Sequence, residues 1–334
     1  MEQALSTRLL ELNEPSRIAE CRRIARVVAE EEGLSPEQVS NAAIVASEVA
    51  SNLLKHAREG VVQVAPLSPR GAAGVEILSI DRGPGLSPGS FEDGYSATGT
   101  SGTGLGAIRR LSDDFDVYSG PSKGTALVSR ILLKAPPRPA AGNFTLGLTE
   151  RPLESESVSG DRWAVRRGQN TILMMVADGL GHGLLANEAS SAAAAAFLAA
   201  KEELPGELVQ IMHRALRGTR GAAVAVSQVD FAAGRVKFAG LGNIVAVVSD
   251  PAKSHSMVSH NGTAGHEVRN IKEFEYPWTS QSVIIMHSDG LSANWNLDAH
   301  AGLRQRHPSV IAGCLYREAA RKRDDACVIV GGKR

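Results

Sequence analysis

The sequence predicts two domains of unlike fold: an N-terminal α/β sandwich, then an α+β sandwich of two sheets flanked by helices. Three observations predict it. At 334 residues the chain exceeds the roughly 150 expected of one domain. A proline-rich break, Lys134-Ala135-Pro136-Pro137-Arg138-Pro139-Ala140-Ala141-Gly142-Asn143, favours an extended spacer over helix or strand. Before that break helical and strand patterns mix, whereas after it most of the periodic stretches read as strands. The expected boundaries are 1–134, a linker over 135–143, and 144–334. No internal repeat joins the two halves.

Composition narrows the functional classes. Lys and Arg total 36, as do Asp and Glu, so the formal charge is zero and nothing favours a nucleic acid or an anionic membrane as partner. No run approaches the ~18 apolar residues of a membrane span. The opening Met1-Glu2-Gln3-Ala4 lacks the basic-then-apolar layout of a secretion signal. Cys21, Cys314 and Cys327 are scattered, which excludes a disulfide framework or a cysteine-built metal site. A cytoplasmic protein is expected.

The elements follow in order. Ile18, Cys21, Ile24, Ala25 and Val28 recur at helical spacing over Ser16–Glu32, and Gly33 offers a stop. Ser35-Pro36-Glu37-Gln38 opens a second helix: Ser35 can cap, Pro36 suits the first turn and Gln38 can complete a capping box. Its apolar stripe is Val39, Ala43, Ala46, Ala50 and Leu53. Strands are expected at Val61–Ala65, Val75–Ile80, Phe115–Ser119 and Thr125–Leu133, with a helix near Gly106–Asp113. The second half predicts strands at Arg162–Arg166, Thr171–Ala177, Ala222–Val229, Arg235–Phe238, Ile244–Val248, Ser282–His287 and Ala326–Val330. Helices are expected over Leu184–Glu203 and Leu208–Leu216.

Glu48, Asn52 and His56 share one face of the second helix at four-residue spacing. They form either a solvated surface or a site in which Asn52 ligates Mg²⁺ and Glu48 orients or deprotonates an attacking hydroxyl. Asp81-Arg82-Gly83-Pro84-Gly85 follows a strand; it is either a turn or a carboxylate placed to receive a purine amino group. Thr98-Gly99-Thr100-Ser101-Gly102-Thr103-Gly104-Leu105-Gly106 precedes a helix, where backbone N–H groups can meet phosphate. Neither a Walker loop nor a Rossmann fingerprint fits these spacings.

In order, Glu48/Asn52, Asp81–Gly85, Gly102–Gly106 and Gly124-Thr125 resemble the N, G1 and G2 boxes of the GHKL (Bergerat-fold) ATPases, over nearly all of residues 1–133. The resemblance implies a helix-and-sheet sandwich that binds ATP and Mg²⁺ beneath a lid. Asp93–Gly106 looks most like the RsbT-type switch serine kinases of the stressosome, which phosphorylate a serine on a STAS-domain protein. By that likeness Glu48 is the catalytic base, Asn52 the Mg²⁺ ligand and Asp81 the adenine contact. Gly83, Gly85, Gly102, Gly104, Gly106 and Thr125 complete the cofactor-binding set, and the role of His56 is open.

In the second half, Asp161 follows Ser159-Gly160, Asp178 ends an apolar run before Gly179-Leu180-Gly181-His182-Gly183, Asp289 precedes Gly290, and Asp324-Asp325 introduces a strand. Each Asp-Gly pair alone can be a turn. Carboxylates clustered at strand ends repel one another, and hard divalent cations neutralise them. Two ions ~3.5–4 Å apart can bridge a hydroxide for attack on phosphorus. With Gly240-Leu241-Gly242-Asn243, these motifs resemble the SpoIIE-like branch of the metal-dependent (PPM) serine/threonine phosphatases, over residues 144–332. The resemblance implies two packed antiparallel sheets and two Mn²⁺ or Mg²⁺ ions. Asp178 would bridge both, Gly179 would contribute its carbonyl through water, Asp289 and Asp324 would hold one ion, and Asp161 would complete the other side. Asp324 is preferred to Asp325 as the first of the pair, and Asp178 and Asp289 count as catalytic. His182 and His287 are read as structural.

Together these readings imply a partner-switching stress regulator, a metal-dependent protein phosphatase joined to an ATP-dependent serine kinase, both acting on STAS-domain proteins. Two alternatives stand beside it. In one the first domain only senses nucleotide and gates or docks for the phosphatase. In the other the chain is a non-enzymatic, anti-sigma-like binding module.

Overall fold

The computed structural model describes residues 7–86, 104–120, 123–133, 144–266, 268 and 270–333. Its first eight elements are β1 (Arg8–Glu11), α1 (Ser16–Glu31), α2 (Pro36–His56), β2 (Val61–Pro66), β3 (Gly74–Ile80), α3 (Gly104–Leu111), β4 (Asp114–Gly120) and β5 (Gly124–Leu132). The strands form one antiparallel sheet in the order β1-β2-β3-β5-β4. Helices α1 and α2 cover one face, where Cys21, Ala25 and Val28 meet Val39, Ala46, Ala50 and Leu53 over Val62, Val64, Val75 and Ile77. Gly33, at φ 77°, ends α1 in the left-handed region that a β-carbon disfavours. The α2 cap forms as its sequence predicts. Gln38 N–H donates to Ser35 Oγ at 3.3 Å, and Ser35 N–H donates to Gln38 Oε1 at 3.1 Å.

The remaining elements are β6 (Phe144–Arg151), β7 (Asp161–Arg167), β8 (Thr171–Gly179), α4 (Leu184–Ala199), α5 (Pro205–Ala215), β9 (Ala222–Asp230), β10 (Arg235–Leu241), β11 (Val245–Ser249), β12 (Ser254–Ser256), β13 (Phe274–Pro277), β14 (Val283–His287), α6 (Pro308–Ala319) and β15 (Ala326–Lys333). They build two antiparallel five-stranded sheets, β13-β10-β9-β8-β7 and β12-β11-β14-β15-β6. A core of Phe144, Leu148, Met174, Val176, Phe238, Ile284, Met286 and Ile329 lies between the sheets. The outer face of the first sheet packs Met175, Ala177, Val224 and Val226 against Ala189, Ala193 and Phe197 of α4 and Leu208 and Met212 of α5. A two-layer sandwich and a double-sheet sandwich with flanking helices are thus both present.

Five elements are absent from the sequence prediction: β1, β6, β12, β13 and α6. Strand β6 has a legible alternation, since Phe144, Leu146 and Leu148 are buried, but its Gly147 and the adjoining proline-rich stretch mask it. Grouping by contact gives one unit of Met1–Pro136 with Ser309–Arg317 and another of Pro137–Pro308 with Glu318–Arg334. The expected domain over 144–334 is contiguous; by contact, the middle of α6 belongs with the first unit. The reason is visible on β3, which is buried at every position. Val75 and Ile77 face α1 and α2. The alternate residues Leu78 and Ile80 meet α6, where a β-carbon on Gly313 would lie 3.1 Å from Ile80 Cγ1 and 3.4 Å from Leu78 Cδ1. The expected linker over 135–143 lies outside the described residues.

Glu76, fully buried on β3, accepts from Arg70 Nη1 at 2.8 Å, from Arg130 Nε at 2.8 Å and from Ser309 Oγ at 2.6 Å. Both guanidinium groups meet that carboxylate, and burial already pulls Arg130 down to about 10. Glu76→Ala leaves both cations without it and is expected to cost about 3–5 kcal/mol. Urea unfolding followed by far-UV circular dichroism measures this, and a loss below about 1 kcal/mol would contradict the assigned role.

Candidate functional site

In the first unit, α2 is the spine of the site. Glu48 and Asn52 are half-buried on the face turned to the start of α3. A β-carbon on Gly104 would stand 2.8 Å from Glu48 Oε2 and 3.6 Å from the Asn52 side-chain amide. The structure therefore brings Glu48, Asn52 and the first turn of α3, which also carries Gly106, to one place. Backbone N–H groups of that turn have no intrahelical acceptor and point out of the helix end. Gly102 lies outside the described residues, as does most of the glycine-rich stretch before it. His56 is exposed.

The end of α2 holds the second cluster. The bend after β3 brings Gly83 against the His56 carbonyl, and Gly83 N–H turns back to donate to Asp81 Oδ1 at 2.6 Å. Thr125 N–H donates to the same oxygen at 3.3 Å. Burial pushes the Asp81 carboxyl up, and the N–H groups of Gly83 and Thr125 and the charge of Arg317 oppose the rise. Gly124, at φ 71°, makes the closure possible, because a β-carbon there would come within 1.9 Å of the Asp81 carbonyl oxygen. Ser119 was not anticipated. Its Oγ accepts from Leu86 N–H at 2.7 Å and lies 3.1 Å from Thr125 Oγ1, so it ties the strand carrying Thr125 to the loop carrying Gly85. Arg317 comes from the far end of the chain, and no local signal announces it.

In the second unit, Asp161 opens β7 and Asp178 ends β8, and the two are register partners. Asp161 is 1% exposed. Asp178, Asp289 and Asp324 are half-buried. Asp289 and Asp324 lie close enough to Asp178 for their charges to act on it, and Asp289 acts likewise on Asp324. Asp289 Oδ2 also accepts from Asn243 Nδ2 at 2.7 Å, which gives the Gly240–Asn243 motif a role. Strands of both sheets thus deliver their carboxylates to one end of the sandwich. Asp325 is occupied differently. Its two oxygens accept from Leu153 N–H at 2.7 Å and Gly160 N–H at 2.8 Å, so it anchors the segment leading into Asp161. Gly179 has no room for a side chain, since a β-carbon would lie 2.0 Å from the Ala186 carbonyl oxygen.

Burial, then Asp289 and Asp324, push Asp178 up to about 8. Burial and the neighbouring Asp178 push Asp161 well above the usual carboxylate range, against the hydroxyl of Ser288, which donates to Asp161 Oδ2 at 2.6 Å. Ser288 Oγ in turn accepts from Cys327 N–H at 3.1 Å. The signal for this unanticipated residue was a hydroxyl directly before the Asp289-Gly290 turn. The donor chemistry fits hard divalent cations, because buried carboxylates sharing protons exchange them for a metal. Among the described residues, no group of three or more His, Cys, Asp or Glu is already arranged to hold an ion.

Neither histidine adjoining the motifs is placed for proton transfer by these contacts. His182 is exposed, with Nδ1 2.6 Å from Glu156 Oε1. His287 is fully buried. Trp295 Nε1–H can only donate, and it does so to His287 Nε2 at 3.0 Å, so His287 carries its proton on Nδ1 and gives it to the Ser288 carbonyl at 2.8 Å. Burial lowers its basicity and keeps it neutral.

Comparison with known proteins finds a different family in each half of the chain. Residues 12–130 match the family described as histidine kinase-like ATPase domain, and residues 168–331 match stage II sporulation protein E (SpoIIE). The serine/threonine-protein kinase RsbT of Bacillus subtilis (strain 168) is 32% identical over 112 residues, 33% of this chain and 84% of RsbT. The chain belongs to the RsbT family of histidine kinase-like ATPase domains, joined to a SpoIIE domain. The phosphoserine phosphatase RsbX of the same organism is 24% identical over 180 residues, 53% of this chain and 89% of RsbX. A solved chain from work on the bacterial stressosome as a modular system controlling secondary-messenger signalling aligns at TM-score 0.53 and 27% identity, covering 56% of this chain and 98% of its own. RsbX in complex with magnesium aligns at TM-score 0.50 and 22% identity, covering 56% and 94%, and shares the fold. An RsbT-like unit joined to an RsbX/SpoIIE-like phosphatase unit is the architecture of a partner-switching regulator. No helix among the described residues is long and apolar enough to cross a membrane.

The raised Asp178 sets a pH dependence with a definite sign. Its folded value of about 8 exceeds that of an unfolded carboxyl, so the folded state binds the extra proton and loses stability as pH rises toward 8. In a chelator, thermal unfolding across about pH 5 to 8 is expected to show a larger loss for the unsubstituted chain than for Asp178→Asn. A difference between the two proteins that does not change with pH would contradict the assignment.

Proposed function

We propose that the SpoIIE unit hydrolyses phosphoserine or phosphothreonine on a STAS-domain protein with two Mn²⁺ or Mg²⁺ ions, and that the RsbT-like unit phosphorylates the same class of partner with ATP and Mg²⁺. The observation that supports the first half is the meeting of Asp161, Asp178, Asp289 and Asp324 at one end of the sandwich. Asp178 would contact both ions, the Gly179 carbonyl would act through water, Asp289 and Asp324 would hold one ion, and Asp161 would complete the other. Such ions activate water at neutral pH and offset the charge that develops on the phosphoryl oxygens. Ser288 holds Asp161 in place, Asn243 holds Asp289, and Asp325 keeps the chain before Asp161 from moving. Overall, a water oxygen bonds to phosphorus as the P–Oγ bond breaks, and the serine oxygen leaves with a proton.

In the RsbT-like unit Asp81 accepts the exocyclic amino group of adenine, with Gly83, Gly85 and Thr125 shaping the backbone around it. Asn52 would hold the Mg²⁺ that accompanies the phosphates, and Gly104 and Gly106 would present N–H groups to them. Glu48 takes the proton of the acceptor hydroxyl as its oxygen bonds the γ-phosphorus and the bond to ADP breaks. The proximity of Glu48, Asn52 and Gly104 supports this assignment.

With Mn²⁺ and a phosphorylated STAS-domain partner, the chain is expected to release inorganic phosphate, and Asp178→Ala to reduce the rate by at least about a thousandfold. Normal release by that variant would reject the centre. Radiolabel from γ-labelled ATP is expected on the same partner and to be lost in Glu48→Gln. Binding of ATP without any transfer would leave the RsbT-like unit as a nucleotide sensor.

A further inference from the structure

Within the SpoIIE unit, the aspartates share their rim with arginines and leucines that the proposed reaction does not use. Asp161 begins β7 and Asp178 ends β8; on the other side of β8, β9 begins at Ala222, just after Arg220. Backbone hydrogen bonds continue the pairing past the strand ends. Gly179 N–H donates to the Gly160 carbonyl at 3.1 Å, and Leu180 N–H donates to the Gly221 carbonyl at 3.0 Å. Arg220 therefore follows the same edge as the carboxylates, and its Nη1 lies 3.1 Å from where a β-carbon on Gly181 would stand. The first turn of α4 closes the rim. Asn187 Nδ2 donates to the Ser159 carbonyl at 2.7 Å, and a β-carbon on Gly160 would meet Ala186 Cβ at 2.9 Å.

The turn between α5 and β9 is firmly held, yet the cations it presents are unpaired. Thr219 Oγ1 donates to the Leu216 carbonyl at 2.7 Å and accepts from Gly221 N–H at 3.0 Å. His266 Nε2 donates to the Arg220 carbonyl at 2.9 Å, and His213 Nδ1 accepts from Gly265 N–H at 3.1 Å. Burial, and next the charges of Arg217 and Arg214, lower the basicity of His213, so both guanidinium groups lie near that ring. Arg214, Arg217 and Arg220 are exposed, and among the described residues none of the three forms an ion pair. The Glu156 carboxylate beside Gly183 is taken up by His182.

Leu180, Leu184 and Leu185 stand in the same loop and the first turn of α4, all exposed to solvent, Leu184 by 73%. Single exposed leucines are ordinary on a protein surface, whereas three within six residues beside a reaction centre mark a contact surface. Glu188, the one charged residue of α4, is exposed one turn beyond Leu184. It repels acidic groups from the leucine side, and the arginines draw them to the other.

We propose that this rim docks the phosphoprotein: an acidic stretch lies on Arg214, Arg217 and Arg220, and the apolar residues beside the phosphoserine lie on Leu180, Leu184 and Leu185. This surface presupposes the phosphatase reading above and adds which polypeptide it accepts. Two metal ions act on any phosphate ester that reaches them, so a choice among phosphoserines has to come from contacts outside the centre.

The test compares hydrolysis by the full chain with Mn²⁺ on two phosphoserine peptides, normalised to p-nitrophenyl phosphate hydrolysis, which counts active centres. One peptide has leucines beside the phosphoserine and glutamates beyond; the other has alanines and lysines there. The acidic, leucine-bearing peptide is expected to show a kcat/KM at least about tenfold higher, carried by KM. Raising the salt from about 0.1 M to about 1 M is expected to shrink that preference to about threefold or less. Arg217→Glu with Arg220→Glu is expected to reverse it, and Leu184→Ser to lower it about threefold through KM. These side chains are exposed, so the fold tolerates the changes. Equal kcat/KM on the two peptides overturns the proposal, as does a preference that survives the charge reversal. So does a dimer in sedimentation that Leu184→Ser dissociates, because a second copy would then cover the leucines. A chain that hydrolyses neither p-nitrophenyl phosphate nor either peptide overturns the phosphatase reading itself, and the docking surface with it.

Discussion

Four aspartates, one buried and three half-buried, at the ends of strands from two sheets are the constraint around which the SpoIIE unit is arranged. Burial disfavours the charge of Asp161 and Asp178 and neighbouring carboxylates oppose it, so both retain protons far above the ordinary carboxylate range. A sandwich would not gather such groups for stability alone, since apolar side chains of equal volume would pack there with less opposition. The structure contains the opposition with specific donors: Ser288 on Asp161, Asn243 on Asp289, and backbone N–H groups on Asp325. The same donors orient the oxygens that a pair of divalent ions would need.

The RsbT-like unit solves a gentler problem. Its charges are spread along α2 and the bend after β3, and backbone geometry sets how closely these elements approach. Glycines set the distances: Gly124 lets β5 approach the Asp81 carbonyl, and Gly104 brings the start of α3 to Glu48. The buried Glu76 with Arg70, Arg130 and Ser309 shows the opposite use of charge, a satisfied group that locks α6 against β3. That lock explains why β3 is buried on both faces even though only one faces α1 and α2.

Much of the fold was legible. The helical stripe of α2, the capping box at Ser35, and most strands are local patterns that two or four residues suffice to reveal. Adjacent motifs at strand ends also announced the carboxylates, because an Asp followed by Gly after an apolar run is a local event. What escaped was nonlocal or weakly patterned. Strands β12 and β13 are short, β6 hides behind prolines and a glycine, and Ser288 and Ser119 act through Asp161 and Leu86, which are distant in sequence.

The sequence by itself determined which residue types stand at the ends of which elements, and hence that one half handles nucleotide-like chemistry and the other concentrates carboxylates. Only the tertiary structure decided that Asp325 anchors the segment before Asp161, and that Ser309–Arg317 groups by contact with the first unit. The physical reason is common to both. Periodicity encodes which face of an element is apolar, but which surface that face will meet depends on packing among stretches hundreds of residues apart.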